Sequence, residues 1–129
     1  KLYVEGVKIK NGAVAQTIGH DSHNITAAGS DAENIAAAVN ALGKNGGIAV
    51  VENQKVIAFL ELEIAGLMSS KDAHTAAREY NRVLKAAERV CNKGSDVLLM
   101  ILSFISLLVI PHIKLSDRGL FDVDQFKLL

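Results

Sequence analysis

Cysteine occurs once in this 129-residue chain, at Cys91; proline occurs once, at Pro111, and tryptophan never. A lone cysteine excludes an intramolecular disulfide and any zinc site that needs a pair or a quartet of thiolates. The usage suits a reducing compartment, and so a cytoplasmic location. An excess of either charge is missing as well, because 14 Lys and Arg offset 14 Asp and Glu. Without a basic field, neither nucleic acid nor a membrane surface is expected as a partner. The low hydrophobicity of a disordered chain is absent too, since 50% of the residues are hydrophobic. The most apolar stretch, residues 97–110, is interrupted by Ser103 and Ser106. It falls short of the ~20 apolar residues of a membrane span. A buried helix ending before Pro111 is the expectation. The chain opens on Lys1 without the charged-then-apolar pattern of a signal peptide, and its start reads like the interior of a longer protein or like a trimmed end. Its length is also too small for a complete (β/α)8 barrel of about 200 residues or more. One domain is expected, over residues 1–129.

Two helices carry start signals. Ser30-Asp31-Ala32-Glu33 has the form of a capping box, and Ile35, Ala38, Val39 and Leu42 repeat at helical spacing behind it. This predicts a helix over 31–42, ended by Gly43 or Gly46. A second helix is expected over 71–92, started by Ser69 or Ser70 and stopped by Gly94. Its apolar stripe would be Ala76, Tyr80, Val83, Leu84, Ala87, Val90 and Cys91. Strands are expected over 2–9, 13–18, 25–28, 48–51, 56–60 and 113–115. Asn11-Gly12 marks a turn, and Glu52-Asn53-Gln54-Lys55 a hairpin in which Asn53 takes a positive φ. The fold class is α/β in the broad sense, an α+β two-layer arrangement. A mixed sheet is packed by two or three helices, and there is no complete barrel.

The densest polar cluster is His20, Asp21, Ser22, His23 and Asn24, set between two apolar segments where a loop at a strand end would fall. Two imidazoles flanking a carboxylate can supply metal ligands, a general base, or hydrogen bonds to a heterocycle. A polar turn with Asp21 or Asn24 bonding backbone amides is the structural alternative. The stretch has at most three ligands where a structural zinc takes four, so no metal site is expected in this chain. His74 and His112 have no ligand-like neighbours. Phosphate-loop, dinucleotide-binding and nucleophile-elbow motifs are absent. So is the zinc nucleobase-deaminase signature, which needs more than one cysteine. Asn45-Gly46-Gly47 reads as a tight connection, and Met68 as packing.

Several strings in order carry a resemblance. They are Asn11-Gly12-Ala13-Val14-Ala15, His20-Asp21-Ser22-His23-Asn24-Ile25, Ala38-Val39-Asn40-Ala41-Leu42 with Gly46-Gly47, and Ile64-Ala65-Gly66-Leu67-Met68-Ser69. Leu102-Ser103-Phe104, Val109-Ile110-Pro111 and residues 114–123 follow. Together they cover almost the whole chain, which resembles the C-terminal domain of bacterial and archaeal adenine deaminases of the amidohydrolase superfamily. The resemblance implies hydrolysis of adenine to hypoxanthine and ammonia. It also implies a divalent metal, manganese or iron, in a barrel upstream of this domain and absent from this chain. Adenine, that N-terminal barrel and a homo-oligomeric copy are the partners it suggests. The fragment alone is expected to be inactive. Residues 20–24 become the substrate-pocket candidates, without assigned roles. The family usually has proline where this chain has Glu61, Glu63 and Leu108, which points to an exposed or altered segment. A structural or oligomerisation module of a deaminase-like protein, without catalytic function, is the alternative.

Overall fold

The computed structural model describes residues 3–5, 7–21, 23–92 and 94–129. A four-stranded sheet forms its centre. Strand β1 (Gly12–Gln16) is buried along its whole length. Strand β2 (Thr26–Gly29) pairs with one edge of β1, and β3 (Gly47–Glu52) with the other. Strand β4 (Lys55–Glu61) follows β3 through a hairpin and completes the order β2-β1-β3-β4. Asn53 and Gln54 both have positive φ, at 49° and 62°. That pair of left-handed residues gives a two-residue turn whose twist matches the flanking strands. Each described pairing is antiparallel, so the sheet is not the mixed one expected. Strands β2 and β3 do run the same way, but β1 lies between them.

Helix α1 (Ala32–Ala41) crosses from β2 to β3 on one face of the sheet. Alternation along the strands assigns Ala13, Ala15, Ala49 and Val51 to that face, where they pack against Ala38 and Leu42. The small alanines let the helix approach closely. On the other face, Val14, Ile48, Val50 and Leu60 meet α2 (Ala73–Val90) and α3 (Ser95–Phe104). The expected two layers are therefore extended to three, with helices on both faces of an α+β sheet. Among the described residues, no closed barrel forms. A second, three-stranded antiparallel sheet follows: β5 (Ile113–Ser116), β6 (Gly119–Asp122) and β7 (Lys127–Leu128). Only the first of these strands is among those expected.

Local chemistry moves several boundaries. Asp31, not Ser30, caps α1: its carboxylate accepts from the Asn34 amide at 2.8 Å. Ser30 is drawn away, accepting from the Gly12 amide at 3.1 Å and donating to Asp31 at 2.6 Å. Buried Asn34 then accepts from the Gln54 amide at 2.7 Å and fastens the helix start to the hairpin turn. Helix α2 begins behind Asp72, which accepts from the Thr75 amide at 3.0 Å. It ends at Val90 because the chain there pairs with the N-terminal segment. Lys10 donates to the Val90 carbonyl at 2.7 Å, and Asn92 to that of Lys8 at 3.1 Å. Gly94 consequently precedes α3 rather than stopping α2. Tyr80, expected in the buried stripe of α2, lies at its edge and is partly exposed, while Ala86 is buried.

Of the strand expected over 2–9, Leu2 and Gly6 lie outside the described residues. The rest is irregular except for a bridge between Ile9 and Cys91. Helix α3 is shorter than the apolar run that suggested it. Leu98, Leu99 and Leu102 are buried, but Met100 is exposed, and the Ser103 hydroxyl donates back to the Leu99 carbonyl at 3.0 Å near the helix end. Among the described residues, no helix is long and apolar enough to cross a membrane.

Candidate functional site

Strand register brings three connections to one end of the four-stranded sheet. Gln16 faces both Thr26 and Ile48, and Gly47 faces Glu61. The loop of residues 17–25, the α1–β3 connection of residues 42–46 and the β4–α2 segment of residues 62–72 therefore emerge together. The string at 64–69 meets the segment leading into the polar cluster at Thr17, which bonds to Gly66.

Thr17 ties the three connections. Its hydroxyl accepts from the Gly47 amide at 2.9 Å and donates to the Gly66 carbonyl at 2.5 Å. Its own amide donates to the Gly47 carbonyl at 3.0 Å. Gly46 is needed at this crossing: a Cβ there would lie 2.9 Å from the Thr17 side chain and 3.0 Å from the Gly66 Cα, at a φ of 76°. Residues 64–68 close a tight turn, with reciprocal backbone bonds between Ile64 and Met68 and left-handed Ala65 and Gly66 at its tip. Met68 is 58% exposed, so its side chain is not the packing residue expected.

The carboxylates of Glu61 and Glu63 brace this segment. Glu61 and Glu63 are half-buried. Glu61 accepts from the Asn45 carboxamide at 2.7 Å, and Glu63 from the Ser70 amide at 3.2 Å. Backbone amides, its own and that of Ser70, hold the Glu63 carboxyl below its ordinary range, helped by Lys71. Lys71 is itself raised, chiefly by its hydrogen bond to Glu79. Leu108 is half-buried beyond α3.

Within the 20–24 stretch, His20, Asp21, His23 and Asn24 are exposed, and Ser22 lies outside the described residues. The loop is anchored at its start: the His20 amide donates to the Ser103 carbonyl at 3.1 Å, and its ring sits 4.6 Å from that of Phe104 at the end of α3. Beside this anchor, a cavity of about 220 Å³ is lined by Gln16, Ile18, Tyr80, Asp96, Met100 and Ser103, among others. Gln16 is 2% exposed; its carboxamide donates to the carbonyls of Ile18 at 2.9 Å and Leu99 at 3.1 Å, which fixes the root of the loop to α3. Among the described residues, no three His, Cys, Asp or Glu side chains converge into a metal-ligand set. The arrangement instead presents imidazole, carboxylate and carboxamide groups outward from a braced base. Such a set can hydrogen-bond a ligand brought to it, but does not enclose one.

The chain matches the family described as adenine deaminase C-terminal domain over residues 2–127. It belongs to that family. Relatives named adenine deaminase agree. The protein of Brucella anthropi is 47% identical over 125 residues, that of Thermosipho africanus 44% over 128, and that of Borreliella burgdorferi 42% over 125. These matches cover 96–98% of this chain but only 22–23% of the relatives. The match to the adenine deaminase C-terminal domain thus takes in nearly the whole of this chain, while the larger part of each relative lies outside it. Thr17 and Gln16 were not singled out by sequence reasoning. The signal for Thr17 was its neighbours, since Gly46, Gly47 and Gly66 each mark a backbone crossing that some side chain must satisfy.

Proposed function

We propose that this chain, as one domain over residues 1–129, serves an adenine deaminase that hydrolyses adenine to hypoxanthine. The water oxygen ends on C6 of the purine and the 6-amino group leaves as ammonia. The observation that carries the reading is the exposed 20–24 loop rising from a braced sheet end, where Thr17 bonds to Gly47 and Gly66 and His20 is anchored to Ser103. There His20, Asp21, His23 and Asn24 face outward toward whatever is seated against them. Their chemistry suits a purine: a carboxamide pairs with the amino and N7 edge of adenine, and imidazoles meet ring nitrogens as donor or acceptor. The names of the relatives support the same substrate.

The divalent metal implied by the resemblance, manganese or iron, does not fit this chain. Among the described residues there is no ligand set for it. It belongs to the barrel expected upstream. A cytoplasmic enzyme of purine metabolism, built as a homo-oligomer of barrel-bearing subunits, completes the proposal, and the single cysteine is in keeping with that compartment. The test is the full-length protein, loaded with manganese or iron and given adenine. Hypoxanthine and ammonia should form in equal amounts. A well-folded, metal-loaded protein that leaves adenine unchanged contradicts the reading.

A further inference from the structure

The small sheet of β5, β6 and β7 carries large apolar side chains on both faces. Register assigns Ile113, Leu115 and Leu120 to one face, and Phe121 and Leu128 to the other. Phe126 stacks edge-on against Phe121 at 5.2 Å. Yet none of residues 113–129 is buried, in contrast to β1. Phe126 is 77% exposed and Leu129 66%, and Val109, on the approach to the sheet, is 74% exposed. Among the described residues, the sheet makes no substantial contact with the three helices or the four-stranded sheet. One backbone bond, from the Leu115 amide to the Ile105 carbonyl at 3.0 Å, joins it to the end of α3. A three-stranded sheet needs an apolar face covered to be stable, and a contiguous exposed apolar surface marks a contact.

We propose that this sheet is the seat on which the rest of the full-length protein docks, and that docking there sets the 20–24 loop against the neighbouring part. With the reading of the chain as one domain of a longer enzyme as its basis, the occupant follows from one observation and one physical principle. More than three quarters of the relatives' length lies outside the matched part, so a large tethered surface is at hand. A tethered surface competes at an effective concentration of about millimolar, well above that of a free second copy at ordinary protein concentrations. The position of the sheet supplies the second half of the inference. Ile105, which holds Leu115, directly follows Phe104, against which the His20 ring packs. A body seated on β5–β7 therefore lies next to the root of the loop.

Carbene footprinting of the full-length protein, read by mass spectrometry without substrate, tests this. Labelling of Val109, Phe126, Leu128 and Leu129 is normalised to the urea-unfolded protein and compared with Val56, which is half exposed beside the distant hairpin. The expected result is labelling several-fold below that of Val56, unchanged on dilution to the monomer. Labelling equal to that of Val56 overturns the inference. Protection that vanishes on dilution also overturns it, since the occupant is then a second copy. Because no substrate is present, a failure of adenine hydrolysis bears on the proposed reaction and a failure of protection on the docking alone.

Discussion

Thr17 serves three chain segments with one hydroxyl. Replacing it by valine keeps the shape but leaves the Gly47 amide without its acceptor and the Gly66 carbonyl without its donor. An unsatisfied backbone group of this kind costs about 1–3 kcal/mol. Urea unfolding of Thr17→Val should show a loss in that range, and Thr17→Ser should recover most of it. Asp31 makes a second prediction. Its carboxyl titrates at about 2 rather than the ordinary 3.8, held down first by the Ser30 hydroxyl and then by the Asn34 amide and carboxamide. As pH falls below 3.8, the unfolded chain takes up a proton before the folded one does. The stabilisation from Asp31 is therefore complete above that pH and disappears as pH falls toward about 2. Melting curves across this window should fall more steeply for the wild type than for Asp31→Asn. Equal slopes would show that the carboxylate is not linked to folding.

At the scale of elements, α3 is held by few residues. Leu98 is 1% exposed and lies under the helix against the core. Leu98→Ala should destabilise the chain by about 2–5 kcal/mol, as buried leucine truncations do. Met100→Ala, on the open side of the same helix, should stay within about 0.5 kcal/mol. Chemical unfolding of both variants measures the contrast. The elements that could be read from the sequence are those specified by local signals. The spacing of Ile35, Ala38 and Leu42 marks α1, and Asn53 marks the hairpin. What escaped was set by distant partners. The end of α2 depends on Lys10 reaching Val90, and the cap of α1 on Ser30 turning to Gly12. Strands β6 and β7 were missed because Arg118-Gly119 and residues 123–126 look like loop until β5 is in place beside them. The candidate loop at 20–24 was legible as a polar cluster. Its braced base was not, since Gln16 and Thr17 gain their roles only when α3 and the 64–68 turn close around them.

At the scale of the molecule, one end of the four-stranded sheet carries the exposed 20–24 loop, and the small sheet extends apolar surface from the helix that anchors it. The role proposed for such a domain in adenine hydrolysis is to contribute groups to a site completed elsewhere. The measurement that tests this most directly is turnover and melting of the same full-length His23→Ala variant. His23 is exposed, so its loss should change stability by only about 0–1 kcal/mol. If it positions the purine or the attacking water, turnover of adenine should fall by a factor of about 10²–10⁴. A large melting shift with unchanged specific activity of the folded fraction would contradict the account, because the loop would then serve the fold and not the reaction.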